Sequence, residues 1–309
     1  MSASLHFLLW MSRQEAYEDM ADTVSQMCQN ERTIRHQPIV SVVIPAYNGA
    51  QVIGETIRSV LNQSYADYEL IVVDDASVDR TVEVLSGIQD PRLRIVRNAT
   101  NLGFEGNFNR ALEEARGEFI KVLPMDDLLY PTCLERQVEI LEANENRDVC
   151  LVSCAKDVIT RGGEFVIRGR KGFSGRMPGS QAIRRTVRAG TNIIGEPGSV
   201  LFRRSLLAQV GRFDGSIPYI IDLDLWCRLL LHGDAYIIPE TLCAFRVWPN
   251  SMSVKLARTQ TRQLLSFFSR LSSRPEYGVR AFDRCCGSVR AFVNTMARMV
   301  IYRMLRANA

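Results

Sequence analysis

Two acidic doublets, each closing an apolar run, constrain this chain more than any other feature. The first run is Leu70-Ile71-Val72-Val73, followed by Asp74-Asp75. The second is Phe119-Ile120-Lys121-Val122-Leu123, followed after Pro124 and Met125 by Asp126-Asp127. An apolar, β-branched run reads as a strand buried in a parallel sheet. Ligands of open α/β sheets gather outside the carboxyl ends of such strands. Two carboxylate pairs at those ends predict a crevice for a hard cation and a polar ligand. A divalent cation held by few carboxylates usually also holds substrate phosphates. The pattern therefore predicts a metal-dependent enzyme for a phosphorylated or nucleotide-linked substrate.

The rhythm around these runs predicts the fold class. Strands are expected at 39–44 (ended by Pro45), 69–73, 93–96 and 119–123. Helices are expected between them at 50–62, 79–88 with Asp79 as N-cap, 106–116 and 131–144. Strands alternating with helices mean a parallel sheet with crossover helices. The class is α/β: a Rossmann-like, mainly parallel sheet flanked by helices, with a C-terminal helical appendage. Further strands are expected at 149–153 and 199–203, and a helix at 222–232. The Gly-rich, basic stretch 161–180 reads as a mobile loop, either solvated or closing over the site as a lid. Residues 1–37 read as a helical extension. Residues 254–309 read as two helices joined near Ser272 to Gly278, either packed on the domain or touching an anionic membrane surface.

Composition narrows the functional classes. With 309 residues, 46% hydrophobic and 23% charged, the chain can bury a full core. A net charge of +4, with Lys and Arg spread along the chain apart from local groups, argues against nucleic acid. None of the eight cysteines forms a CxxC pair, which predicts reduced, mostly buried thiols in a cytoplasmic protein. No apolar stretch reaches the ~18 residues of a spanning helix. The segment Leu5 to Met11 is short and lacks a basic lead and a cleavage site, so membrane contact, where there is any, is expected to be peripheral.

Several segments in order resemble the family 2 glycosyltransferases, enzymes of GT-A fold. They are Val42-Val43-Ile44-Pro45-Ala46-Tyr47-Asn48, Ile57 to Ser64, Val73-Asp74-Asp75-Ala76-Ser77-Val78-Asp79-Arg80-Thr81, Asn101-Leu102-Gly103, Gly117 to Ile120 and Leu123 to Pro131. Weaker matches follow at Phe202 to Arg204, Gly211 to Asp214, Asp222 to Leu229 and Phe245 to Ser253. The likeness spans residues 38–253, with a nucleotide-sugar half at 38–131 and an acceptor half at 132–253. It implies an inverting transferase that moves a sugar from a nucleotide-diphosphate donor, a UDP-sugar above others, to a glycan or lipid-linked acceptor in polysaccharide or glycoconjugate synthesis.

The same resemblance implies roles. Pro45, Ala46, Tyr47 and Asn48 would hold the donor base. Asp74 or Asp75, the latter favoured, would accept from the base. Asn101, Gly103, Asn109, Met125 and Asp127 would complete the donor site. Asp126, with Asp127, would hold Mn²⁺ or Mg²⁺ against the diphosphate. Pro124 stands where the fullest family motif has a first Asp, and Trp248 stands where relatives often have a metal-binding His. Arg246 would clamp phosphate or brace its strand. Asp222 would be the general base that takes the acceptor hydroxyl's proton, or a helix N-cap, with Asp224 in support. Two rivals remain: a non-catalytic nucleotide-sugar-binding protein on a degenerate scaffold, and a nucleotidyltransferase. The segment Ala46 to Ala50, with one Gly and no basic residue, counts against the latter. The absence of GxGxxG after a strand counts against a dehydrogenase.

Overall fold

The run Val40–Ala46 forms strand β1, and all seven of its residues are buried. The computed structural model describes residues 37–169, 173–248 and 251–307, with side chains as far as residue 300. The helical extension expected over 1–37 and the Leu5 to Met11 segment lie outside the described residues, Gln37 excepted; residues 38–309 form one compact unit. Strand β2 is Tyr68–Asp74, β3 is Leu93–Arg97 and β4 is Phe119–Val122. β1 pairs in parallel with β2 on one side and β4 on the other, and β2 with β3. Ala46 lies beside Asp74 in the β1–β2 register, so both strands release the chain on one edge.

Period-two alternation divides the core. Val42, Ile44, Leu70 and Val72 face one apolar cluster with helix α1 (Ile53–Leu61). Val43, Ile71, Val73 and Val122 face another with Phe108, Ala111 and Leu112. Helix α2 is Thr81–Ser86, α3 is Gly103–Glu114 and α4 is Cys133–Glu142. Asp79 is not the N-cap expected of it: the helix starts two residues later with Arg80 at that position, and Asp79 Oδ1 accepts from the Thr81 N–H at 2.9 Å from just outside. Strand β1 runs through Pro45 rather than ending there. In a parallel strand Val43 and Pro45 address the same neighbour, and β4 pairs with β1 only as far as Val43, so the missing N–H breaks no ladder.

The second half departs further from expectation. β5 (Leu128–Leu129) is followed by an eleven-residue β6 (Val149–Ile159), β7 (Phe165–Ile167) and β8 (Gly175–Met177). Helix α5 (Gly179–Ala189), β9 (Val200–Arg203), α6 (Ile221–Leu229) and β10 (Asp234–Arg246) complete the layer. The sheet order is β3-β2-β1-β4-β9-β6-β10-β5, with β7 on β6 and β8 on β10. Pairs β4–β9 and β6–β9 are antiparallel, which makes the sheet mixed rather than mainly parallel throughout. The stretch expected to be a loop thus contributes two short strands and the start of α5; Arg170 and Lys171 lie outside the described residues. The C-terminal pair is as expected: α7 (Gln260–Ser272) and α8 (Ala281–Ala307). Cys133, Cys150, Cys154, Cys227 and Cys243 are buried free thiols, while Cys285 is exposed.

Candidate active site at the strand ends

The turns after β1 and β2 are tied together. Asn48 N donates to Ser77 Oγ at 2.9 Å, Asn48 Oδ1 accepts from Val78 N at 3.0 Å, and Gly49 N donates to Thr81 Oγ1 at 2.8 Å. Asn48 (φ 52°) and Ala76 (φ 56°) are the non-glycine residues in left-handed conformation among those described. For alanine especially this is a strained state, and such strain collects at ligand-holding turns. Pro45 and Ala46 are buried at the end of β1, while Tyr47 is exposed beside them. Met125 underlies the turn: Tyr47 N points at its Sδ at 3.4 Å, and its carbonyl accepts from Thr56 Oγ1 at 2.8 Å.

The two aspartates after β2 differ in what they have left to offer. Asp75 is spent on the protein. Its Oδ1 accepts from Asn98 Nδ2 and Leu102 N, each at 2.8 Å, and its Oδ2 from Gly103 N at 3.0 Å, which anchors the start of α3. Asp74 is fully buried; its Oδ2 meets Ser77 N at 3.2 Å and Arg97 Nε at 3.4 Å. Among the described residues its Oδ1 has no hydrogen-bond partner. Asn101 is exposed and accepts from Gly103 N at 2.9 Å. Asn109 bridges to the Phe213 backbone through both amide atoms, a contact between the two halves of the chain rather than a free donor-site group.

After β4 the acidic turn is gripped by the end of β10. Trp248 Nε1 donates to Asp126 Oδ2 at 2.8 Å, and the Arg246 N–H to Asp127 Oδ1 at 2.9 Å. Burial pushes both carboxyl groups up, Asp127 far more, because the charge of Asp126 adds to it. Arg246, 2% exposed, spends its guanidinium on the protein: Nε to Asp126 O (2.8 Å), Nη1 to Arg161 O (2.7 Å) and Nη2 to Glu55 Oε2 (2.7 Å). That is a brace across three segments, the structural one of the two roles the sequence left open for it. Buried Lys121 in β4 sets the wall behind the turn, donating to Gln137 Oε1 at 2.5 Å and Gly198 O at 3.2 Å. A Cβ on Gly198 would come within 3.3 Å of Asp127 Oδ2, so glycine there leaves the carboxylate its room.

Asp222 begins α6 from a partly buried position. Burial raises its carboxyl pKa from 3.8 to about 6, opposed by the α6 backbone, the Lys156 charge and the Asn192 amide, which donates to Oδ2 at 3.1 Å. Lys156, on β6 and paired with Glu196, acts electrostatically on both Asp127 and Asp222. Burial lowers its own pKa. Asp224 lies on the other side of the helix, bound to Arg228 at 2.8 Å and to Arg270, which leaves it a structural partner of α7.

Asp127 and Asp222, from distant segments, thus both feel the charge of Lys156. The sequence reading missed Lys156, Glu196, Asn192 and Lys121. Lys156-Asp157 does stand out in the sequence as a charged pair after the run Val149 to Ala155, although β6 continues through it to Ile159. Among the described residues no group of three or more His, Cys, Asp or Glu side chains could hold a metal ion. Two adjacent carboxylates still fit a hard divalent cation whose other ligands are substrate phosphates and water.

The model of glycosyl transferase family 2 matches residues 41–211, more than half of the chain. EpsE of Bacillus subtilis, whose name places it among glycosyltransferases, is 36% identical over 68% of this chain and 73% of its own length. The chain spans about two thirds of the length of several curated relatives. TarS of S. aureus, solved in complex with UDP-GlcNAc, superimposes with a TM-score of 0.59 at 18% identity, over 74% of this chain and 64% of that one. The mannosyltransferase PcManGT of Pyrobaculum calidifontis, solved with GDP-Man and Mn²⁺, gives 0.55 at 20% identity, over 88% and 83%. These likenesses show the GT-A fold, with C-terminal helices added. No helix among the described residues is long and apolar enough to cross a membrane.

Proposed function

Because the chain belongs to glycosyl transferase family 2 and is thus a glycosyltransferase, we propose that it transfers a sugar with inversion from a nucleotide-diphosphate donor to a hydroxyl of a glycan or lipid-linked acceptor. The observation that supports this reading is the Asp126-Asp127 turn beyond the end of β4, held by the Trp248 indole on Asp126 and the Arg246 N–H on Asp127. A raised carboxyl pKa of about 6 keeps Asp222 ionised at neutral pH yet basic enough to take a proton. The acceptor oxygen attacks the anomeric carbon, its proton passes to Asp222, and the bond from carbon to the diphosphate oxygen breaks on the opposite face. Asp126 and Asp127 would hold Mn²⁺ or Mg²⁺, which when bound supplies charge to offset that of the leaving diphosphate.

Donor binding falls to the two strained turns. Tyr47 offers an exposed ring to a base, and Asp74 Oδ1 is an unspent acceptor at the end of β2. Asp75 has less to give, so Asp74 takes the base contact in this reading. UDP-sugars come first, with GDP-sugars next; TarS and PcManGT were solved with one of each class. The test is turnover over a panel of nucleotide sugars with and without Mn²⁺, for wild type, Asp126→Ala and Asp222→Asn. Cation-dependent turnover of one donor, lost in both variants, is the expected result. Donor turnover untouched by either substitution would sink the assignment.

A further inference from the structure

Helix α8 is turned inside out. The side packed on the domain is made of Asp283, Gly287, Ala291 and Thr295, one residue per turn, all buried. The fit is close at backbone level: a Cβ on Gly287 would meet Val187 O at 2.1 Å, and one on Gly190 would meet Ala291 N at 2.3 Å. Asp283 is bound by Arg184, Arg188 and the Arg280 N–H, and Asn294 Nδ2 donates to Ala189 O at 2.9 Å. The large apolar side chains point away from the protein. Phe282 is 66% exposed, Val289 64%, Phe292 60%, Val293 59%, and Met296 and Val300 49% each. Their spacing draws one continuous stripe along the helix.

Charge identifies what covers the stripe. Residues 254–309 contain eleven Lys and Arg against two acids, Glu276 and Asp283, whereas the whole chain has a net charge of only +4. The remainder is therefore net acidic, and the positive charge is concentrated in the C-terminal helical region to which α8 belongs. Asp283 is already neutralised inside the fold. A second copy of the chain would bring the same arginine-rich flank against itself, which is unfavourable. Nucleic acid would satisfy the arginines but leave Phe282, Val289, Phe292 and Met296 facing polar groups. A basic helix with a large apolar face matches the interface of an anionic bilayer, where the stripe enters the acyl boundary and the arginines meet headgroups.

We propose that the outward face of α8 docks the protein on anionic lipid. The same helix is joined to the turn that carries Asp222: Arg298 Nη1 donates to Tyr219 Oη at 2.6 Å, and Tyr219 N to Gln263 Oε1 of α7 at 2.8 Å. Docking would thus hold the acceptor side of the crevice near the membrane surface, which suits a lipid-linked acceptor. The surface argument does not rest on the transfer chemistry, and vesicle binding is read without donor, so either reading can fail alone.

The experiment is sedimentation of the full chain with phosphatidylglycerol vesicles and with phosphatidylcholine vesicles. Binding to the first and not the second is expected, weakened at about 0.5 M salt, where screening is short-ranged. Phe292→Ser and, separately, Val289→Ser should each lower the partition coefficient at least tenfold, with thermal melts unchanged because both positions are exposed. No binding to phosphatidylglycerol, or equal binding by both folded variants, overturns the proposal. So does a dimer, seen by light scattering, that either variant dissolves, for the face would then belong to a second copy.

Discussion

Trp248 Nε1 donates to Asp126 Oδ2 at 2.8 Å, so the acidic turn after β4 is held by an indole that cannot itself bind a cation. The hydrogen bond draws the Asp126 pKa down against the burial that raises it. Trp248 therefore favours the ionised carboxylate and fixes one of its oxygens.

Removing that indole donor should show in the cation requirement. Trp248→Phe keeps an aromatic ring and loses the N–H, a loss of about 1 kcal/mol. The Mn²⁺ concentration for half-maximal donor turnover is expected to rise by roughly five- to tenfold, with the melting temperature little changed. Trp248→His adds an imidazole and should lower that concentration. A Mn²⁺ titration identical in wild type and Trp248→Phe would mean that Asp126 does not meet the metal.

Arg246 is expected to matter for folding before binding. Arg246→Met abandons the carbonyls of Asp126 and Arg161 and the Glu55 carboxylate. Orphaning such buried partners costs about 2–4 kcal/mol, the half-exposed Glu55 moderating the loss. The midpoint of urea unfolding should fall accordingly. Unchanged stability together with lost donor affinity would restore the phosphate-clamp role.

Asp74 and Asp75 should separate in the same way. Asp75→Asn removes charge from a group that accepts three N–H bonds, and about 2 kcal/mol of stability should go with it. Asp74→Asn alters the acceptor with an unspent oxygen. Nucleotide binding, followed by calorimetry, should weaken about tenfold, or ~1.4 kcal/mol. The reverse pattern would return the base contact to Asp75.

The first half of the fold was legible because its signals are local. Apolar runs, Pro45, Gly117 and the acidic doublets each mark a strand end within a few residues, and β1, β2 and β4 lie where those marks put them. The second half was not, for reasons of partnership. Strands β7 and β8 are three residues each and exist because β6 and β10 extend far enough to pair with them. The same holds in the site. Asp126, Asp127 and Asp222 could be named from residue type and place, but Lys156 joins them only through folding of β6 beside β10. The use of Arg246 as a brace needs the positions of Glu55, Asp126 and Arg161, segments far apart in the chain. For the C-terminal helices the sequence left packing on the domain and contact with an anionic surface both open, because which side of α8 packs is settled only when Gly287 and Ala291 are seen against α5.

Asp222 ties activity and stability to pH in opposite directions. Its pKa of about 6 in the fold stands above the 3.8 of an ordinary aspartate. Between those values the folded protein holds a proton that the unfolded chain has released, so the contribution of this group to stability is fullest below 3.8 and is lost as pH rises through about 6. Asp222→Asn removes the buried charge, and at pH near 8 it should raise the unfolding free energy by about 1–3 kcal/mol. At pH near 4 the gain should vanish. Transfer should fall by roughly a hundredfold or more in this variant, as for loss of a general base. In wild type, kcat/KM should drop tenfold for each unit below about 6, and Asn192→Ala, which removes a hydrogen bond to the ionised form, should move that limb upward. Chemical or thermal unfolding of both proteins at the two pH values, beside the pH–rate profile, reads all of this at once. A variant that is less stable near pH 8, or that still transfers sugar at the wild-type rate, would remove Asp222 from the role of base and leave it as an acidic residue of the first turn of α6, whose N-cap is Ile220.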